Sequence, residues 1–323
     1  MDIGMVLPSG IPGVDARVVG EWARRIDAGP YSSVAVADRL GYANQDAMMT
    51  LAAAAAVTER VTLTTSILLT PLRPTPLLLK EVGTLVSMAP GRVSLGVGVG
   101  ARPWDYEVAG IPWSRRGEIL DRQLAALDQL RSQHDEQQVG PRLGDLEILI
   151  GGASAPACER LVRHADGYVA GGIRNPFFSF DVLTCRQAWA AAGRPGLPRI
   201  VGGTWVARSE RLDDEASAFL RSYFVTGGPP EMVNAGIVRG ADAIRAMITE
   251  YRQTGADEVV LFPCTADLAE LDWLTEVVAS MPDVPRGDPR PVPPDGPPPS
   301  AVPGTDGVRV GDGARGPAPA TVG

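Results

Sequence analysis

The segment GGAS, Gly151 to Ser154, runs from an apolar stretch straight into a helical pattern whose first turn holds Pro156. Glycines let a backbone approach an anion, and the N–H groups that open a helix point at it. Gly151, Gly152, Ala153 and Ser154 are therefore a candidate phosphate cradle. The competing reading is a plain helix start with Ser154 as N-cap. Gly171 and Gly172 follow the next apolar run and are candidates to complete the same cradle. In GVGVGARPW the glycines stand at 96, 98 and 100, off the GxGxxG spacing, and no helical pattern opens there. Gly98 and Gly100 instead suggest a strand end of small residues where a flat ring lies against backbone, with Arg102, Trp104 and Asp105 edging a substrate pocket. Asp38 ends an apolar run and needs a partner when buried. Arg39 beside it is the expected one, and the two are the candidate catalytic residues, with helix capping as the alternative. Arg73, set between prolines in TPLRPTP, sits on a stiff loop suited to an anionic group of a substrate.

What is missing narrows the chemistry. The chain has two histidines: His134 falls in a polar linker, and His164 in the last turn of a helical pattern, where a cation suits the helix dipole. The three cysteines, Cys158, Cys185 and Cys264, are far apart and form no CxxC, so neither a disulfide framework nor a metal site is expected. Cys264 reads as small buried packing at a strand end. No GxSxG occurs. Acid–base work falls to Asp, Glu or Tyr, or the reaction is carried by an organic cofactor.

These residues lie far apart in sequence, and the elements between them must bring them to one end of the molecule. Eight short apolar runs read as strands: residues 2–7, 33–37, 61–68, 92–98, 146–150, 166–170, 199–207 and 258–262. Helical patterns alternate with them at 14–27, 46–58, 76–88, 115–133, 156–164, 180–192, 213–223 and 241–254, and a last one at 268–281 closes the series. Strands that are apolar on both faces and separated by helices predict an α/β fold, a (β/α)8 TIM barrel, ahead of a doubly wound open sheet. In a barrel the chemistry sits on the loops after the strands' C-terminal ends, which is where every candidate above falls.

At 323 residues, with 45% hydrophobic and 21% charged, the composition is that of a globular chain. The barrel should span residues 1–281, and the proline- and glycine-rich stretch 282–323 should be a disordered tail, because it has too little apolar surface to offset its ordering entropy. A net charge of −8 offers no footprint for nucleic acid. No apolar run is long enough for a membrane span, and the N-terminus lacks the pattern of a signal peptide, so a cytoplasmic protein is expected. Lys80 is the only lysine, which we read as base-composition bias.

Four blocks in order carry a resemblance: SILLTPLRPTPLLLKEVGTLVSMAPGRVSLGVGVG, AGIPWSRRGEILDRQLAAL, ILIGGASAPACERLVRHADGYVAGG and GADEVVLFPCTADLAELDWL. Together they resemble the bacterial luciferase-like superfamily of flavin- or deazaflavin (F420)-dependent oxidoreductases. The resemblance implies a (β/α)8 barrel that binds coenzyme F420 or FMN at its C-terminal mouth. It implies a non-prolyl cis peptide at Ser66–Ile67 behind the ring, the cofactor phosphate on Gly152, Ala153 and Ser154, and Asp38 beside the ring's polar edge. A small-molecule substrate and a homodimer are implied as well. Where many deazaflavin-dependent relatives carry His and Glu after strands 2 and 4, this chain has Arg39 and Ala101. Their sugar-phosphate dehydrogenation is therefore not carried over.

The expected function is hydride transfer from reduced F420 or FMN to a small organic substrate, as in C=C or C=N reduction. The alternatives are an FMN-dependent monooxygenase, which requires a dry pocket, and a degenerate barrel that binds flavin or a partner without turnover.

Overall fold

The computed structural model describes residues 1–132, 139–172, 177–208, 214–223 and 236–281. Strands β1 (Asp2–Val6), β2 (Ser33–Val36), β3 (Thr62–Leu68), β4 (Val93–Val97), β5 (Glu147–Gly151), β6 (Gly167–Val169), β7 (Arg199–Ala207), β8 (Ile237–Arg239) and β9 (Glu258–Pro263) form one parallel sheet. Seven of the barrel strands pair in sequence, β9 follows β7, and β9 pairs back onto β1 in the register Ile3 to Val259, so the sheet closes. The (β/α)8 barrel expected from the alternating pattern is the fold observed.

Between the strands run α1 (Ala16–Ala28), α2 (Ala47–Ala55), α3 (Thr75–Met88), α4 (Pro103–Ala109), α5 (Arg116–Ser132), α6 (Ala155–His164), α7 (Phe178–Ala191), α8 (Asp214–Tyr223), α9 (Ala241–Thr254) and α10 (Leu268–Ala279). Local chemistry explains several starts. Asp15, Asp46 and Asp267 each occupy an N-cap and accept a backbone N–H from the first turn.

The strands explain themselves by alternation. Ile3, Met5, Val34, Val36, Ile148, Ile150, Val259 and Leu261 pack outward against the helices. Val6, Ala35, Leu149, Val169, Val260 and Phe262 form a separate inner cluster. Period-two side chains thus line both faces of each strand, and both faces are dry. At the N-terminal end the barrel is floored by polar groups. Glu258 accepts hydrogen bonds from Ser33 Oγ (2.6 Å) and Arg199 Nη2 (2.6 Å), and Ser94 Oγ donates to Glu147 (2.6 Å). A Cβ at Gly4 would strike Ser33 and Glu258, which is why this position of β1 has no side chain.

Two elements depart from expectation. Strand β8 is three residues long, too short for a periodic signal, and pairs alongside the C-terminal end of β7. Helix α4 opens with Pro103 directly after the glycine-rich end of β4, where no helix was expected, and stops at Gly110 in the left-handed region (φ 65°). The expected tail at 282–323 and His134 lie outside the described residues. Among the described residues no helix is long and apolar enough to cross a membrane.

Candidate active site at the barrel mouth

The turn between β5 and α6 has the form of an anion seat. Gly152 has φ 89° and nothing within 4 Å of where a Cβ would stand, so the turn is open to solvent. Ser154 occupies the N-cap position, yet its side chain makes no capping hydrogen bond. Ser154 is thus the N-cap by position but not by side-chain bonding, which leaves first-turn N–H groups of α6 for an outside acceptor. Gly171 is open as well. Gly172 is tighter: a Cβ there would meet the rings of Trp205 and Phe262, so only glycine fits beside this aromatic packing.

The end of β3 is irregular. The Ser66–Ile67 peptide is cis, where the resemblance implies it, and the pairing with β4 shifts between Thr65 and Leu68. Ser66 Oγ is buried without a hydrogen-bond partner. The Ile67 side chain lies across Gly98 and Gly151, and Leu69 lies across Gly100 (φ 70°). The surface at Gly98 and Gly100 is thus already covered by aliphatic groups. A ring in the mouth would rest on half-buried Ile67, not on bare glycine backbone.

Asp38 and Arg39 do not pair with each other. Asp38 accepts from Leu69 N (3.0 Å) and from Arg73 Nη1 (2.7 Å), while Arg39 lies near Asp105, Nε to Oδ2 at 3.7 Å, and donates to the carbonyl of Tyr223 (2.7 Å). Arg73 is likewise corrected as a ligand for substrate anions. Its guanidinium, 13% exposed, is shared among Asp38, Asp46 and Glu81. Burial works against its charge, but these carboxylates outweigh it and raise its pKa. Gln123 Nε2 fixes the loop by donating to the carbonyls of Thr70 (3.0 Å) and Arg73 (2.9 Å).

Helix α4 braces the other side. Asp105 Oδ1 accepts from the amides of Leu40 (3.2 Å) and Gly41 (2.7 Å), and Trp104 Nε1 donates to the Gly41 carbonyl (3.1 Å). Trp104 is half exposed and covers Gly41, whereas Arg102 lies over the Tyr223 ring (5.1 Å), with its pKa lowered by burial.

The roof is the part that sequence reading missed. Tyr223, at the end of α8, and Phe219 pack on Trp205 of β7 at 5.7 and 5.6 Å between ring centroids, and Trp205 meets Phe262 of β9 at 5.3 Å. With Val6, Leu7 and Pro263 these rings close the throat down to a cavity of about 10 Å³. The only local signal was one large aromatic near the end of each of two late strands. Cys264 is buried beside them, and His164 pairs with Asp128 on α5. Among the described residues no cluster of His, Cys, Asp and Glu could hold a metal ion.

A closed parallel barrel with an open turn and an aromatic cluster at its C-terminal mouth belongs to the class of (β/α)8 barrels, which carry their sites at that end. The chain belongs to the luciferase-like monooxygenase family, whose pattern it matches over residues 1–262. It is 33% identical over 171 residues to an uncharacterised protein of Mycobacterium bovis, a match covering 48% of this chain and 60% of that protein. The chain thus spans about three-fifths of the length of that relative. It is also similar to an F420-dependent glucose-6-phosphate dehydrogenase of Intrasporangium calvum, 38% identical over 96 residues and 29% of each chain. In fold it resembles the solved structure of an F420-dependent secondary alcohol dehydrogenase in complex with an F420–acetone adduct, with a TM-score of 0.71, 14% identity, and 86% of this chain and 99% of that one covered.

Proposed function

We propose that this protein binds coenzyme F420 or FMN at the barrel mouth and reduces a C=C or C=N bond of a small organic substrate. The observation that carries the reading is the β5–α6 turn, where Gly152 stands open and Ser154 leaves the start of α6 uncapped, a fit for a cofactor phosphate. Gly151, Gly152, Ala153 and Ser154 would hold that phosphate, and Gly171 would flank it. Ile67 would back the ring, and Ser66 Oγ, buried without a partner, would find an acceptor or donor on the ring's polar edge. The reduced cofactor, when bound, supplies the hydride. The protein's residues orient and enclose: Arg73 holds the Asp38 carboxylate in place, and Trp205, Phe219 and Phe262 exclude water. The same apolar roof is what an FMN monooxygenase needs to shield its chemistry, and it supports that as the second reading.

Parallel fluorescence titrations with FMN and F420 test the proposal. Tight F420 binding with weak FMN binding supports hydride transfer, and preference for FMN moves the assignment to oxygen chemistry. Binding of neither removes both.

A further inference from the structure

Helix α2 does not show water the polar face that a helix on the outside of a barrel normally carries. Its nine residues, AMMTLAAAA, include no charge, whereas every other α-helix among the described residues has at least one. Met48, Leu51, Ala54 and Ala55 are buried against the barrel. The outer side is Met49, 62% exposed, and Ala53, followed by exposed Ala56 past the helix end. A helix that is apolar all round belongs in an interior. Beside it runs a groove of about 290 Å³, where Ala16, Gly20 and Ala23 of α1 face Ala53 and Ala54 of α2, with Met49 on its lip. A Cβ on Gly20 would meet only an Arg24 nitrogen at 3.9 Å, so nothing of this chain fills the space there. Helix α3 flanks α2 on the other side with exposed Leu77 and Met88, and Lys80 is the single charge among the residues it exposes.

These features fit a second copy of the same chain. Knob and groove lie on one face, so a two-fold rotation can seat the Met49 of each copy in the groove of the other, as a closed isologous pair requires. The flexible thioether suits an uneven groove of small residues. The rim is complementary in charge as well. Helix α1 shows Arg17 and Arg24, the latter 57% exposed, while α2 is bounded by Asp46, 48% exposed, and by exposed Glu59. A two-fold mate can therefore set the arginines of one copy against the carboxylates of the other. Helices of 13, 9 and 14 residues packed about 10 Å apart give a face on the order of 500 Å² in plan. Side-chain relief brings its accessible area near the roughly 800 Å² per partner of a stable interface. We propose that the α1–α2 groove, with α3 beside it, is the two-fold interface of a homodimer, in which Met49 of each copy seats against Ala16, Gly20 and Ala53 of the other. Asp46, at the edge of this groove, also accepts from Arg73 at 3.1 Å, so the interface and the barrel mouth share a residue. The proposal is independent of which cofactor the mouth holds.

Sedimentation velocity and light scattering on the full chain, across the micromolar range, test it. A particle of twice the chain mass is expected. Ala53→Arg places a long charged side chain in the wall of the groove and should raise the dimer dissociation constant about a hundredfold or more, because the charge would be buried without a partner. The site is exposed in the single chain, so circular dichroism and thermal unfolding of the dissociated variant should still report a folded barrel. Met49→Glu should dissociate the dimer as well, and it carries the test if Ala53→Arg misfolds. Leu183→Glu, on the exposed side of α7, should leave the dimer intact. A monomer throughout the concentration range, or a dimer indifferent to both Ala53→Arg and Met49→Glu, overturns the interface. A dimer that Leu183→Glu breaks and the other two do not places the contact on α7 and overturns it too.

Discussion

Arg73 and Asp38, 35 positions apart in sequence, meet by two contacts at the mouth, Nη1 to Oδ2 at 2.7 Å and Nη2 to Oδ1 at 3.4 Å. The pair ties the end of β2 to the loop after β3. Both side chains are thereby held in place at the mouth, Asp38 4% and Arg73 13% exposed.

Arg73→Met should therefore lower stability by about 3 to 5 kcal/mol, the usual cost of leaving one buried ion without its partner. Asp38→Asn combined with Arg73→Met should cost less than the sum of the two single changes. Urea unfolding of the four proteins measures this, and strict additivity would show that the pair is not coupled.

Asp27 gives a pH prediction. Burial pushes its carboxyl up, but hydrogen bonds from the amides of Glu59, Val61 and Arg60, with the Arg60 charge, hold it below the ordinary carboxylate value. A lowered folded-state pKa means that its contribution is present above the unfolded value of about 3.9 and is lost as pH falls through the folded one. Asp27→Asn should be less stable than the native chain at pH 7, and the two should converge in acid. Urea midpoints from neutral pH to about pH 2.5 check the convergence.

Ser154→Asp places a negative charge at the start of α6, where a helix start favours anions. The helix itself should lose nothing and gain about 0.3–1 kcal/mol. Affinity for FMN and F420 should drop by about tenfold or more through repulsion of the cofactor phosphate. Unchanged affinity for both would take the β5–α6 turn out of the site.

Gly98→Ala tests how Ile67 is seated. A Cβ at position 98 falls inside contact distance of Ile67 Cδ1, so the isoleucine must turn toward the mouth. Overpacking of this kind costs about 1 to 3 kcal/mol and should weaken cofactor binding as well. Adding Ile67→Ala should relieve the clash and restore part of both losses, read by thermal unfolding and by the same titrations. A double variant no better than Gly98→Ala alone would mean that Ile67 does not fill this space.

The eight barrel strands were legible because each is a short run rich in β-branched and apolar residues, and the helices between them because their apolar faces repeat with the helical period. Boundaries moved by a few residues, as with α2, which ends at Ala55 where the pattern runs to residue 58. Helix α4 escaped because its seven residues follow a glycine-rich stretch and open on a proline, which reads locally as a loop. The β5–α6 turn was legible too, since glycine spacing and a helix start are local properties.

What the sequence determined by itself is the alternation of buried parallel strands with helices and the list of loops at the strands' C-terminal ends. Tertiary structure decided which of those loop residues are spent on each other. Asp38 lies beside Arg39 in sequence but pairs with Arg73, 35 positions away. Arg39 takes its acceptor from Tyr223, 184 positions away, and the same tyrosine roofs the throat. Pairing and enclosure are long-range contacts made only when the sheet closes, and no local pattern of residue types encodes them.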